Sequence, residues 1–145
     1  MPTARRRRTI AAPPHEVWGV VGDVHHLPRW WPRVVRVEGV RGDNFTMVLR
    51  TDKGKTVRAD FAVTEHEPPR WRAWAQDVEG TPFERVMHAA ETSVAVNPRE
   101  GGGTEVTLTT TQRLRGLSAL GGFMVRRATG RILDEALDGL ETTVG

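Results

Sequence analysis

"IAAPPHEVWGVVGDVHHLPRWWPRVVRVE", residues 10–38, decides how this chain folds. The stretch opens on the end of an apolar segment. Pro14 then suits the first turn of a helix, where a missing N–H costs nothing. Glu16 sits near the positive end of that helix, and Val17 and Val21 share one face at i, i+4 spacing. Gly22-Asp23 stops this helix and can cap a second, shorter one running into Leu27-Pro28. Trp30 and Trp31 follow between two prolines, directly after His25 and His26. Adjacent side chains on a regular element cannot both face one core, so one tryptophan is expected to look elsewhere.

Downstream, turn-forming clusters recur at "RGDN" (41–44), "DKGK" (52–55), "EPPR" (67–70), "EGTP" (79–82) and "NPREGGG" (97–103). Segments of strand length and composition lie between them: 34–40, 45–51, 56–65, 71–78, 83–96 and 104–114. The short links between these strands favour an antiparallel meander. Upstream, Arg5–Arg8 reads either as a basic arm for phosphate or as a strand running into "TIAA". The strand reading, with two arginines on each face, is favoured.

The far end carries the one long helical pattern, "LSALGGFMVRRATGRILDEALDGLETTV". Val125, Ala128, Ile132 and Ala136 follow helical spacing, and Leu133, Leu137, Leu140 and Val144 widen the apolar stripe. Its arginines crowd the first half and its acids the second, which opposes the helix dipole. It also carries Gly121, Gly122, Gly130 and Gly139, read either as close backbone packing or as a lid helix leaving room beneath it.

Composition sets outer limits. The 145 residues suit one domain, 1–145, with a single core. No run of apolar residues is long enough for a membrane span, and the opening "MPTARRRRTIAAPP" lacks the apolar centre of a secretory signal. The absence of cysteine fits a cytoplasmic protein and removes thiolate chemistry. The sequence pI of about 10.5 comes from a charge of only +3, because Lys53 and Lys55 are the sole lysines and there is no tyrosine. Such a modest field makes a nucleic-acid partner unexpected.

The order of elements is therefore one strand, two small helices, six strands and a long helix. In that order the residues resemble the START-like SRPBCC superfamily, its polyketide cyclase/dehydrase and lipid-transport group. The resemblance rests on residues 10–38, on "TEHEPPRWRAW" (64–74) and on "NPREGGGTEVTLT" (97–109). It implies an α+β helix-grip fold, a curved antiparallel sheet of about seven strands wrapped around the C-terminal helix with a cavity between them. One of Trp30 and Trp31 would then complete the core, and the other would line the cavity or its mouth.

Two-residue alternation groups Phe45, Met47 and Leu49; Val57, Ala59, Phe61 and Val63; and Arg72, Trp74 and Gln76. The expected pocket is Trp31, Met47, Phe61, Trp74 and His88, with Met124, Ala128 and Ile132 from the helix; ordinary core packing is the alternative for each. His88 sits mid-segment with Glu84, Val86, Ala90 and Thr92 on its face, unless a bulge switches them. It reads as a structural histidine or as a weak candidate base. Asp60 is a weaker candidate still. His25 and His26 lack a third ligand at metal spacing, so no metal and no cofactor are expected. Ser93 and Ser118 have no evident base, and "REGGGTE" opens no helix as a phosphate loop would.

Three functional readings follow: binding, or transport, of a small apolar molecule such as a lipid, polyketide or aromatic; polyketide cyclisation; and a basic interaction module. The group's cyclases rely on pocket arginine and tyrosine. This chain has no tyrosine and offers Thr64 or His66 where an arginine would be sought on the fourth strand, which weakens the enzyme reading, a polyketide cyclase/dehydrase-like lyase or cyclase, without closing it. Monomer and homodimer are both compatible with the sequence.

Overall fold

A computed structural model describes residues 2–116 and 119–145; Met1, Leu117 and Ser118 lie outside the described residues. Strand β1 (Thr3–Ile10) absorbs the arginine run and leads to α1 (Pro14–Val21), which buries Val17 and Val21. Asp23 caps a 3-10 turn at Val24–His26 by accepting the His25 N–H, and α2 (Leu27–Trp30) follows directly. Six strands come next: β2 (Val34–Arg41), β3 (Asn44–Arg50), β4 (Thr56–Glu67), β5 (Trp71–Asp77), β6 (Met87–Pro98) and β7 (Thr104–Leu114). Helix α3 (Ala119–Val144) completes the chain.

The strands form one antiparallel sheet in the order β1-β7-β6-β5-β4-β3-β2. Only β1 departs from the meander, crossing to pair with β7 from Thr3↔Thr111 to Ile10↔Thr104. The crossing is pinned where Thr104 Oγ1, fully buried, donates to the Ala12 carbonyl at 2.7 Å. Gly103 has φ +83° beside it, and a Cβ there would come within 2.8 Å of the Ile10 carbonyl oxygen, so only glycine fits.

Two strands differ from their expected limits by more than one residue. Segment 83–86 is not strand, because Pro82 opens a 3-10 turn at Pro82–Arg85. Local bonds hold that turn: Glu84 accepts the Gly80 N–H at 3.0 Å, and Thr81 Oγ1 donates to the Val78 carbonyl at 2.6 Å. Such side-chain bonds compete with the sheet ladder. Strand β4 runs on to Glu67 past an irregularity between Val63 and Glu65.

All three helices lie on one face of the sheet. Leu133, Ala136, Leu137 and Leu140 of α3 are fully buried with Val94, Val96, Val106, Leu108 and Ile10. Helix α3 packs on β1 and β7 and against α1 and α2. Its acids, set against the dipole, have partners across the gap: Asp134 accepts from Arg6 at 3.3 Å, and Arg8 pairs with Asp138 and, at 3.6 Å, with Glu141. The arginine run of β1 and the acidic half of α3 therefore explain each other. Gly139 allows the α2 backbone at Trp30 to lie directly against α3.

Candidate ligand-binding site

Strand pairing fixes which residues share the inner face, the one the helices cover. Phe45 pairs with Phe61, Met47 with Ala59, and Leu49 with Val57. Val63 pairs with Trp74, Trp74 with Thr92, and Thr92 with Thr110. Close to α3 this face is sealed, with Val94, Val96, Val106 and Leu108 fully buried. Further along, Val37, Leu49, Phe61 and Val63 are only half-buried although they point inward. An inward apolar side chain that water still reaches marks space the core has not filled.

The tryptophan pair divides as the sequence requires. Trp30 is buried beneath α3, while Trp31 is half-buried and turned along the inner face. The Trp31 ring meets Trp30 edge-on at 5.3 Å and Trp74 edge-on at 5.7 Å, so three indoles make one continuous wall. Phe45 and Phe61 stack in parallel at 5.5 Å and extend it across β3 and β4. On the outer face at this end, a recess of about 420 Å³ lies among Asn44, Thr46, Asp60, Ala62 and Asp77, which alternate with the two phenylalanines. Trp31, Met47, Phe61 and Trp74 thus come together, although Met47, at 2 % exposure, is a buried support and not a surface.

The other expected site residues do not join this wall. His88 is exposed, because a register shift between Met87 and Ala89 lets Met87 turn inward and be buried instead. One inserted residue reverses the facing of everything before it. Met124 is 62 % and Ile132 40 % exposed, and Ala128 is exposed as well. Helical geometry requires this: Met124 lies about two and a half turns from buried Leu133, on the opposite side of the helix. Asp60 accepts a hydrogen bond from Thr46 Oγ1 on β3.

Polar groups that the sequence did not single out complete the inner face. Thr92 and Thr110 are buried and bonded to each other at 3.0 Å. Thr129 of α3 donates to Gln112 Oε1 at 3.1 Å, and Gln76 stays half-buried beside them on β5. The strongest group is Arg72, 8 % exposed, donating to the Gly22 carbonyl and, at 3.3 Å, to Nδ1 of His66. Its Nε is buried without a partner among the described residues. Burial pushes the guanidinium below its ordinary value, against the charges of Asp23 and Asp43. His66 also lies against Trp18 of α1, ring centroids 5.8 Å apart. The sequence signal for Arg72 was present, a charged residue between Trp71 and Trp74 on an apolar face, but only the turn at Gly22 shows what it holds.

Among the described residues, no three of His, Asp and Glu are grouped so as to hold a metal ion, and no helix is long and apolar enough to cross a membrane.

Solved structures share this architecture at low identity. XoxI of Bacillus cereus aligns at TM-score 0.79 and 17 % identity, over 99 % of this chain and 96 % of that one. The di-domain ARO/CYC BexL of the BE-7585A biosynthetic pathway aligns at 0.80 and 24 % identity, over 98 % of this chain and 46 % of that one. A START superfamily protein of Mycobacterium smegmatis aligns at 0.75 and 15 % identity, over 98 % and 96 %. No curated protein matches the chain. The family model for "Polyketide cyclase / dehydrase and lipid transport" matches residues 1–145, so the chain belongs to that family.

Proposed function

We propose that the inner face between Trp31, Trp74 and Phe61 binds a small, largely apolar molecule, with Gln76 as its nearest half-exposed polar contact. The observation that carries this reading is the set of half-exposed apolar side chains on a face that is fully buried close to α3. Covering ~300 Å² of apolar ligand surface would yield ~7 kcal/mol before association costs of ~4 kcal/mol or more, which places affinity in the millimolar to micromolar range. Membership of the polyketide cyclase / dehydrase and lipid transport family agrees with such a guest, as does the shared fold with an ARO/CYC protein of the BE-7585A biosynthetic pathway. The test is titration with N-phenyl-1-naphthylamine, a neutral dye, together with native mass spectrometry of the purified protein. Saturable dye binding that Trp31→Ala weakens at least tenfold is expected. A chain that takes up neither dye nor copurifying guest would end the reading.

Arg72 favours a second reading, cyclisation of a poly-β-ketone, because a buried guanidinium on the inner face could hold an enolate oxygen. His88, being exposed, has no part in it. Turnover of a polyketide surrogate that Arg72→Met abolishes, while His88→Ala leaves it intact, would promote this reading over simple binding.

A further inference from the structure

The stripe Met124, Ala128 and Ile132 leaves an unexplained feature on the outside of α3. These residues, each four apart, form one exposed apolar line along the helix, and Phe123 beside them is 50 % exposed. Arg127 and Arg131, also four apart, run parallel to that line, and the Arg126 guanidinium lies 5.7 Å from the Phe123 ring centre. Between α3 and β1 lies a recess of about 390 Å³, lined by Arg5, Arg6, Phe123, Arg126 and Arg127 with Thr3 and Ala4. Among the described residues no carboxylate lines it. Arg6 and Arg8 pair with α3 acids, whereas Arg126, Arg127 and Arg131 form no ion pair among the described residues.

We propose that this face, the first half of α3 with Arg5, docks on an anionic lipid bilayer. Two independent features converge on that partner. The unpaired arginines are complemented by negative charge opposite them, and the large apolar side chains between them by a medium that admits single protruding groups. A soluble acidic protein would answer the first requirement and leave Phe123 and Met124 against a polar surface. The acids Asp134, Glu135, Asp138 and Glu141 on the second half would be repelled by the same bilayer, so contact is confined to the first half. The docking does not depend on what the inner face holds.

The test is cosedimentation of the full chain with large vesicles of phosphatidylcholine, with and without about 30 % phosphatidylserine. Binding is expected only to the anionic vesicles, falling steeply as salt rises. An arginine near such a surface contributes about fivefold, so Arg126→Gln with Arg127→Gln should lower the partition coefficient about 25-fold. Phe123→Ser should lower it with the charge unchanged. Circular dichroism and thermal melting identical to the parent chain show that these exposed changes leave the fold intact. Equal binding by parent and double variant would overturn the proposal, as would no binding to anionic vesicles at low salt. Arginine-dependent capture of soluble polyglutamate without vesicle binding would overturn it in favour of an acidic macromolecule.

Discussion

Trp31 meets Trp74 nearly edge-on, with ring centroids 5.7 Å apart and planes at 75°, although the two lie on elements separated by three strands of sequence. Trp74 is buried and Trp31 half-buried, so the same contact has a structural side and an accessible side. Trp74→Ala should cost about 3–5 kcal/mol, as for other buried large aromatics. Trp31→Ala should cost only about 1–2 kcal/mol because part of its surface is already wet. Urea denaturation of both variants checks the ratio; equal losses would mean that Trp31 is core.

Two glycines of α3 should respond oppositely to alanine. At Gly139 a Cβ would strike the Trp30 backbone, including its Cα at 3.0 Å, and backbone cannot step aside. Gly139→Ala should therefore destabilise by about 1–3 kcal/mol despite its better helix propensity. At Gly130 the obstacle is the far end of the Arg6 side chain, which can swing away. Gly130→Ala should be neutral or stabilise by up to about 1 kcal/mol. Thermal melts of the pair decide it.

Arg8 with Asp138 and Glu141 joins β1 to α3 across a largely exposed seam, the Asp138 side chain being 68 % exposed. A double-mutant cycle with Arg8→Gln and Asp138→Asn should give a coupling of about 0.2–1 kcal/mol, shrinking in high salt. A coupling that ignores salt would show a more desolvated pair.

Acid should loosen the turn between α1 and α2. Burial raises the Asp23 carboxyl, but the His25 N–H bond, the His25 ring bond and the charges of His25 and His26 outweigh it and hold it below its ordinary value. A carboxyl depressed in the folded state adds stability that is complete above its unfolded pKa of ~3.9 and is lost as pH falls through the folded value. Asp23→Asn keeps a good cap and removes this titration. The difference in stability between parent and variant should therefore be largest above about pH 5 and shrink toward pH 2. Equilibrium denaturation across that range measures it, and a difference constant with pH would refute the assignment.

Arg72 ties β5 to the Gly22 carbonyl, and among the described residues it forms no ion pair. Exchange for an apolar side chain of similar length removes a buried charge as well as the bond, so the two effects oppose each other. Arg72→Met should cost about 1–3 kcal/mol, the penalty of one unsatisfied carbonyl. Arg72→Glu should prevent folding, since Asp23 and Asp43 already set negative charge there. Denaturant midpoints for the methionine variant and solubility for the glutamate variant check both.

What the chain determined on its own was local. Pro14, Gly22-Asp23 and the Trp-Trp-Pro corner set the small helices, and turn clusters set six of the seven strands, because caps and turns depend on neighbours a few residues away. Period-two alternation correctly grouped Phe45 with Met47, and Trp74 with Arg72, once register was known.

Tertiary structure decided what alternation leaves open. A single inserted residue at Met87–Ala89 moved His88 outward, and no local pattern announces such an insertion. The broad apolar stripe of α3 could not say which of its edges would be buried. Packing on β1, β7 and α2 chose Leu133, Leu137 and Leu140, and left Met124, Ala128 and Ile132 outside. Arg6 and Arg8 found their acids more than a hundred residues away. Such choices are settled only when distant surfaces meet, since burial belongs to pairs of elements and not to one segment.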